Sequence, residues 1–81
     1  MNSEQPLNFV RRNAIGRWEI DGRDELTSGA IAEFRIGGTW IRGRVETIGF
    51  PARYVFLAGQ DEDIIEIKAG MAARRPARWT V

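Results

Sequence analysis

The sequence predicts an all-β domain, a small barrel of five or six short antiparallel strands with a short turn of helix before the last strand. Three observations lead there. Short runs in which apolar and charged residues alternate recur roughly every 10 to 12 residues, with glycine-rich turn signals between them. No helical period lasts longer than one turn. The run RYVFLA, Arg53 to Ala58, is apolar almost throughout and reads as the most buried strand.

Taken in order, Met1 to Asn13 is polar apart from Leu7, Phe9 and Val10 and reads as an N-terminal arm, with Leu7 and Phe9 spaced to add an edge strand. The barrel domain spans residues 14–75. GRWEIDG, Gly16 to Gly22, supplies the first strand, with Trp18 and Ile20 on one face and Arg17, Glu19 and Asp21 on the other. RDELTSG, Arg23 to Gly29, reads as an irregular loop pinned by Leu26.

The stretch Ala30 to Ile48 is a β-hairpin about Gly37-Gly38, a pair that takes the positive φ of a type I′ turn without steric cost. A two-residue loop fixes the register: Ile36 faces Thr39, Arg35 faces Trp40, Phe34 faces Ile41, Glu33 faces Arg42 and Ala32 faces Gly43. Ala32, Phe34, Ile36, Ile41 and Val45 then share one side, which is the core. The other side carries Glu33, Arg35, Trp40, Arg42, Arg44 and Glu46 and faces outward, since burying it would bury its charges. Gly43 inside a strand requires a bend or a neighbouring group crossing close to the backbone.

Gly49-Phe50-Pro51-Ala52 breaks the chain before RYVFLA, and GQDED, Gly59 to Asp63, is a solvated turn. IIEIK, Ile64 to Lys68, is a strand with Ile65 and Ile67 on one face. The short turn at Ala69-Gly70-Met71 drops Met71 onto the core, and Ala72 to Arg75 forms the last strand, ended by Pro76. Residues 76–81 are a basic C-terminal tail.

Composition narrows the function. The 81 residues contain no cysteine and no histidine, which removes disulfides, thiolate metal sites and the usual general base near neutral pH. No metal and no cofactor are therefore expected, and the chain reads as no enzyme. Glu33 and Glu46 share a face, but their arginine neighbours hold them ionised and unsuited to acid catalysis. Net charge is only +1, so electrostatic recognition rests on a local patch, and acidic mimicry of DNA is excluded. All basic residues but Lys68 are arginine, an outcome that a GC-rich coding sequence and selection for bidentate recognition both produce. No apolar run is long enough to span a membrane, and a cytoplasmic location is expected.

The run ELTSGAIAEFRIGGTWIRGRVE, Glu25 to Glu46, resembles the entry into an SH3-like barrel of the Tudor-like kind. The fuller pattern, WEIDG at Trp18 to Gly22, LTSG at Leu26 to Gly29, GTWIRGRVE at Gly38 to Glu46 and GMAAR at Gly70 to Arg74, is similar to an uncharacterised bacterial domain family. The resemblance covers residues 16 to 75 and implies a short protein often carried on mobile elements. It brings no site residues with it, because Trp40 has only Tyr54 and Phe56 as obvious partners for an aromatic cage.

Two candidate sites follow. Arg35, Trp40, Arg42 and Arg44 on one hairpin face have the composition of an interface hot spot, or of a stacking platform that contacts phosphate. The competing reading has Trp40 covered by the arm or the tail, with the arginines only solvating the ribbon. Arg74, Arg75, Arg78 and Trp79 suit contact with nucleic acid or an acidic partner. Asp61-Glu62-Asp63 lacks the pattern of a calcium loop and reads as a solvated turn. The leading expectation is a non-catalytic protein-interaction module whose hairpin face docks a protein partner, with a homodimer as one form of this. Nucleic-acid binding by the same face is the alternative. A third, implied by the resemblance alone, is a phage- or mobile-element-borne inhibitor of a host defence complex, of the anti-CRISPR type.

Overall fold

The computed structural model describes residues 8–22 and 24–76. Residues 1–7 of the expected arm and residues 77–81 of the tail, Arg78 and Trp79 among them, lie outside the described residues. The strands are β1 (Val10–Arg12), β2 (Trp18–Ile20), β3 (Asp24–Glu25), β4 (Ile31–Ile36), β5 (Thr39–Ile48), β6 (Arg53–Ala58), β7 (Asp63–Glu66) and β8 (Ala73–Arg74). They form two antiparallel sheets, a small one ordered β1-β2-β3 and a large one ordered β7-β6-β5-β4-β8. The fold is all-β, as the alternating runs require.

The hairpin has the expected register, from Ile36 opposite Thr39 to Ala32 opposite Gly43, and both turn glycines take positive φ, 59° and 82°. Parity separates inside from outside. Ala32, Phe34 and Val45 are fully buried, while Ile36 and Ile41 pack against the core from its edge. Leu26 is fully buried too. The Phe34 and Phe56 rings meet with centroids 4.4 Å apart. Room for them comes from a row of small residues across three strands: Ala32 pairs with Gly43, and Gly43 with Ala58. An alanine Cβ at Gly43 would overlap the Leu57 carbonyl oxygen and lie 2.9 Å from Phe56 Cζ, which is the close approach the sequence demands.

Three expectations need correction. The barrel does not close: the two sheets are joined by a seam, not by a continuous ladder. Val10 N–H donates to Met71 O (2.9 Å), Gly70 N–H to Val10 O (3.0 Å) and Ala73 N–H to Asn8 O (2.9 Å), with a bridge from Phe9 to Ala72. The strands are eight among the described residues, because Val10–Arg12 and the supposed loop at Asp24–Glu25 both pair with β2. No helical turn precedes the last strand. Gly70 takes φ 92°, outside helical space, and Met71 N–H closes a tight turn onto Lys68 O at 3.2 Å.

Long-range polar contacts hold the small sheet. Glu19 and Glu25 face each other across β2 and β3, and the Asn13 amide donates to both carboxylates, at 3.3 and 2.8 Å. Arg75 forks onto Asp24 (2.9 and 3.0 Å) and also donates to Glu25 O and Ile31 O, clamping β3 against β4. Among the described residues, no helix is long and apolar enough to cross a membrane.

Candidate functional site

The outward face of β4, β5 and β6 is built in rows that cross the strands. At the turn end Arg35 lies opposite Trp40. In the next row Arg74, Glu33 and Arg42 lie side by side on β8, β4 and β5. Then come Ile31, Arg44, Leu57 and Ile64 on four successive strands, followed by Glu46, Val55 and Glu66, of which Val55 is buried.

Glu33 is the hub of the second row. One carboxylate oxygen accepts from Arg74 Nε at 2.7 Å, and the other from Arg42 Nε and Nη2 at 3.4 and 3.3 Å. The Arg74 hydrogen bond is the main cause that holds the Glu33 carboxyl below its ordinary range, with Arg42 adding to it against partial burial. So anchored, the Arg74 guanidinium lies over the Trp40 ring, 4.1 Å from its centroid, a stacking worth about 0.5–1 kcal/mol at an exposed position. Trp40 is half-buried.

Arg44 forms a second tether. Its Nε donates to Glu46 at 2.9 Å and its Nη1 to Glu62 at 2.7 Å, while Ser28 Oγ donates to the other Glu46 oxygen at 2.7 Å. Glu62, and then Glu46, push the Arg44 pKa up; Ser28 first, then Arg44, hold the Glu46 carboxyl down. Glu62 reaches Arg44 from a left-handed backbone conformation, φ 54°, at a cost of roughly 1–2 kcal/mol. An open groove of about 570 Å³ is lined by Ile31, Trp40, Leu57 and Gln60, together with Arg42 and Arg44.

The structure thus brings Arg35, Trp40, Arg42 and Arg44 onto one face, as the register requires, and adds Arg74 to them. Arg74 and Arg75 do not form one basic patch. Arg74 is engaged by Glu33, whereas Arg75, just past β8, is engaged by Asp24, which pushes its pKa up. Arg35 has no carboxylate partner among the described residues, and its backbone N–H donates to Ala72 O at 3.0 Å. No group of three or more His, Cys, Asp or Glu able to hold a metal ion occurs among the described residues. Ile31, Leu57 and Gln60 escaped the sequence reading. Ile31 shares the parity of Glu33 and Arg35, so the hairpin register already placed it outward, whereas Leu57 sits in a uniformly apolar strand that signals no parity of its own.

No curated protein and no solved structure matches the chain. A family model does, from Asn8, whose carbonyl accepts the Ala73 bond of the seam, to Arg75, which clamps β3 against β4. By that match over residues 8–75 the chain belongs to the family described as Domain of unknown function (DUF5348).

Proposed function

We propose that the chain is a non-catalytic, cytoplasmic interaction module that docks a protein partner on the outward face of β4, β5 and β6. One observation carries this: a tryptophan under a guanidinium sits at the rim of an open apolar groove, among arginines already oriented by Glu33, Glu46 and Glu62. Aromatic and arginine side chains next to apolar area are what partner proteins bury at hot spots. A nucleic-acid reading draws less support, because Arg42, Arg44 and Arg74 each have a carboxylate within 3.3 Å, and phosphate would have to displace it.

The test is capture from an extract of the native host at moderate salt, with protein and nucleic acid both quantified. The wild-type chain should retain a protein, with or without nuclease treatment. The W40A/R42A variant should lose it while melting cooperatively, its midpoint lowered by roughly 5 °C for about 1 kcal/mol of lost stacking and contact. Unchanged capture by the variant, or capture that depends wholly on nucleic acid, refutes the proposal.

A further inference from the structure

The β5–β6 hairpin carries a knob at one end and a hole at the other. At its tip, between Gly49 and Pro51, Phe50 is fully exposed, and no core contact accounts for an aromatic ring there. Beside it Arg53 is exposed and has no carboxylate partner among the described residues. At the opposite end lies the groove between Trp40 and Leu57. The acidic turn that follows it leaves Asp61 and Asp63 exposed and without a cationic partner among the described residues. Phe50 cannot reach its own groove: it lies eight residue steps along the chain from Arg42, about 27 Å of extended chain.

We infer that the groove takes Phe50 of a second copy of the chain, in a reciprocal dimer; this rests on the reading of that face as a docking surface. A two-fold axis lying in the interface at the level of Val45 and crossing the strands turns β5 of one copy antiparallel over β5 of the other. Positions equally far from Val45 then meet. Phe50, in the turn just beyond β5, is brought to the Trp40 end of the second copy's groove, and Arg44 lies opposite its Glu46. On β6 the same axis passes Phe56, the register partner of Val45, so Arg53 meets Gly59 of the second copy, next to the Asp61–Asp63 turn. Knob and hole are both satisfied by one symmetry operation, so the assembly closes at two copies and does not grow into a filament. The charges match as well: the cation at the tip meets the acids at the groove.

Sedimentation of the full chain from low-micromolar to millimolar concentration tests this. The 9.2 kDa monomer should give way to a species of twice that mass. F50D, at a fully exposed position and so without effect on the melting point at high dilution, should remain monomeric throughout. R53E and D61R/D63R should each weaken the dimer at least about tenfold, the equivalent of 1.4 kcal/mol. The chain carrying all three changes should recover wild-type association to within a few-fold. A monomer at every concentration, a dimer indifferent to F50D, or a triple variant no tighter than its parents overturns the inference. Trp40-dependent capture by a monomeric chain would overturn self-association alone; a monomer that captures nothing would overturn both readings.

Discussion

Gly43→Ala measures how tightly the hairpin face is locked to the core. The new Cβ would overlap the Leu57 carbonyl oxygen and lie 2.9 Å from both the Leu57 carbonyl carbon and Phe56 Cζ. The phenyl ring can tilt, but the carbonyl belongs to the neighbouring strand and moves only if β6 separates from β5. That separation strains the pairs Gly43–Ala58 and Arg44–Leu57 and the bond from Gly59 N–H to Arg42 O. Overpacking costs about 1–3 kcal/mol and each weakened backbone bond about 1 more, for a total of about 3–5 kcal/mol. The gain from a less flexible unfolded chain, about 0.4–1 kcal/mol, does not offset this. At about 4–8 °C per kcal/mol for a domain of this size, the thermal midpoint should fall by about 12 to 40 °C. Tryptophan fluorescence or near-ultraviolet dichroism reads it directly. Gly38→Ala is the control: it meets no atom within 4 Å but sits at φ 82°, so it carries only the left-handed penalty of about 1–2 kcal/mol. A Gly43→Ala midpoint no lower than that of the control would refute the steric argument.

Two further outcomes follow from the polar contacts. Glu33 has a folded-state pKa below its ordinary 4.5, so as pH falls the unfolded chain takes up the proton first. The stability it supplies is therefore complete above the unfolded value and lost as pH drops through the folded one; melting curves of Glu33→Gln across that acid range should depend less on pH than those of wild type, and equal dependence would show that Glu33 does not contribute. Arg75→Lys keeps the charge but cannot reproduce the fork onto Asp24 together with the bonds to Glu25 O and Ile31 O. It should lower stability by about 1 kcal/mol, discounted for exposure, and speed amide exchange in β2 and β3 more than in β5 and β6; uniform exchange would refute the clamp.

The hairpin was legible because its information is local. A double glycine between two alternating runs fixes parity, and parity alone sends Phe34 and Val45 inward and Trp40 and Arg42 outward. The small sheet was not legible, because distant residues hold it. Asp24–Glu25 has no apolar side of its own and becomes a strand through the burial of Leu26, the Asn13 bridge between Glu19 and Glu25, and Arg75, which lies 51 residues beyond Asp24. The separate engagements of Arg74 and Arg75 were not legible for a related reason. The two are adjacent in sequence, but the adjacency of β8 to β4 brings Arg74 beside Glu33, while Arg75, just past β8, is engaged by Asp24. Leu57 became an outward residue through its pairing with Arg44, which no feature of the run RYVFLA announces.

On the proposed reading, the carboxylates around the arginines decide what the face can bind. Ordering a long side chain at an interface costs about 0.5–1.5 kcal/mol. Glu33 and the Trp40 ring already hold Arg74, and Glu46 and Glu62 already hold Arg44, so much of that ordering precedes binding. The same tethers leave the face nearly neutral and therefore a weak attractor for a polyanion, whose affinity would come from the counterions that unneutralised arginines release. Beside them the groove leaves Ile31 and Leu57 as apolar surface in the middle of a charged sheet. A face with ordered cations, compensated charge and an unfilled apolar groove is matched by a partner that brings an apolar knob and at most a few charges of its own. That description fits a folded protein surface, the Phe50 tip of a second copy included, better than a phosphate backbone.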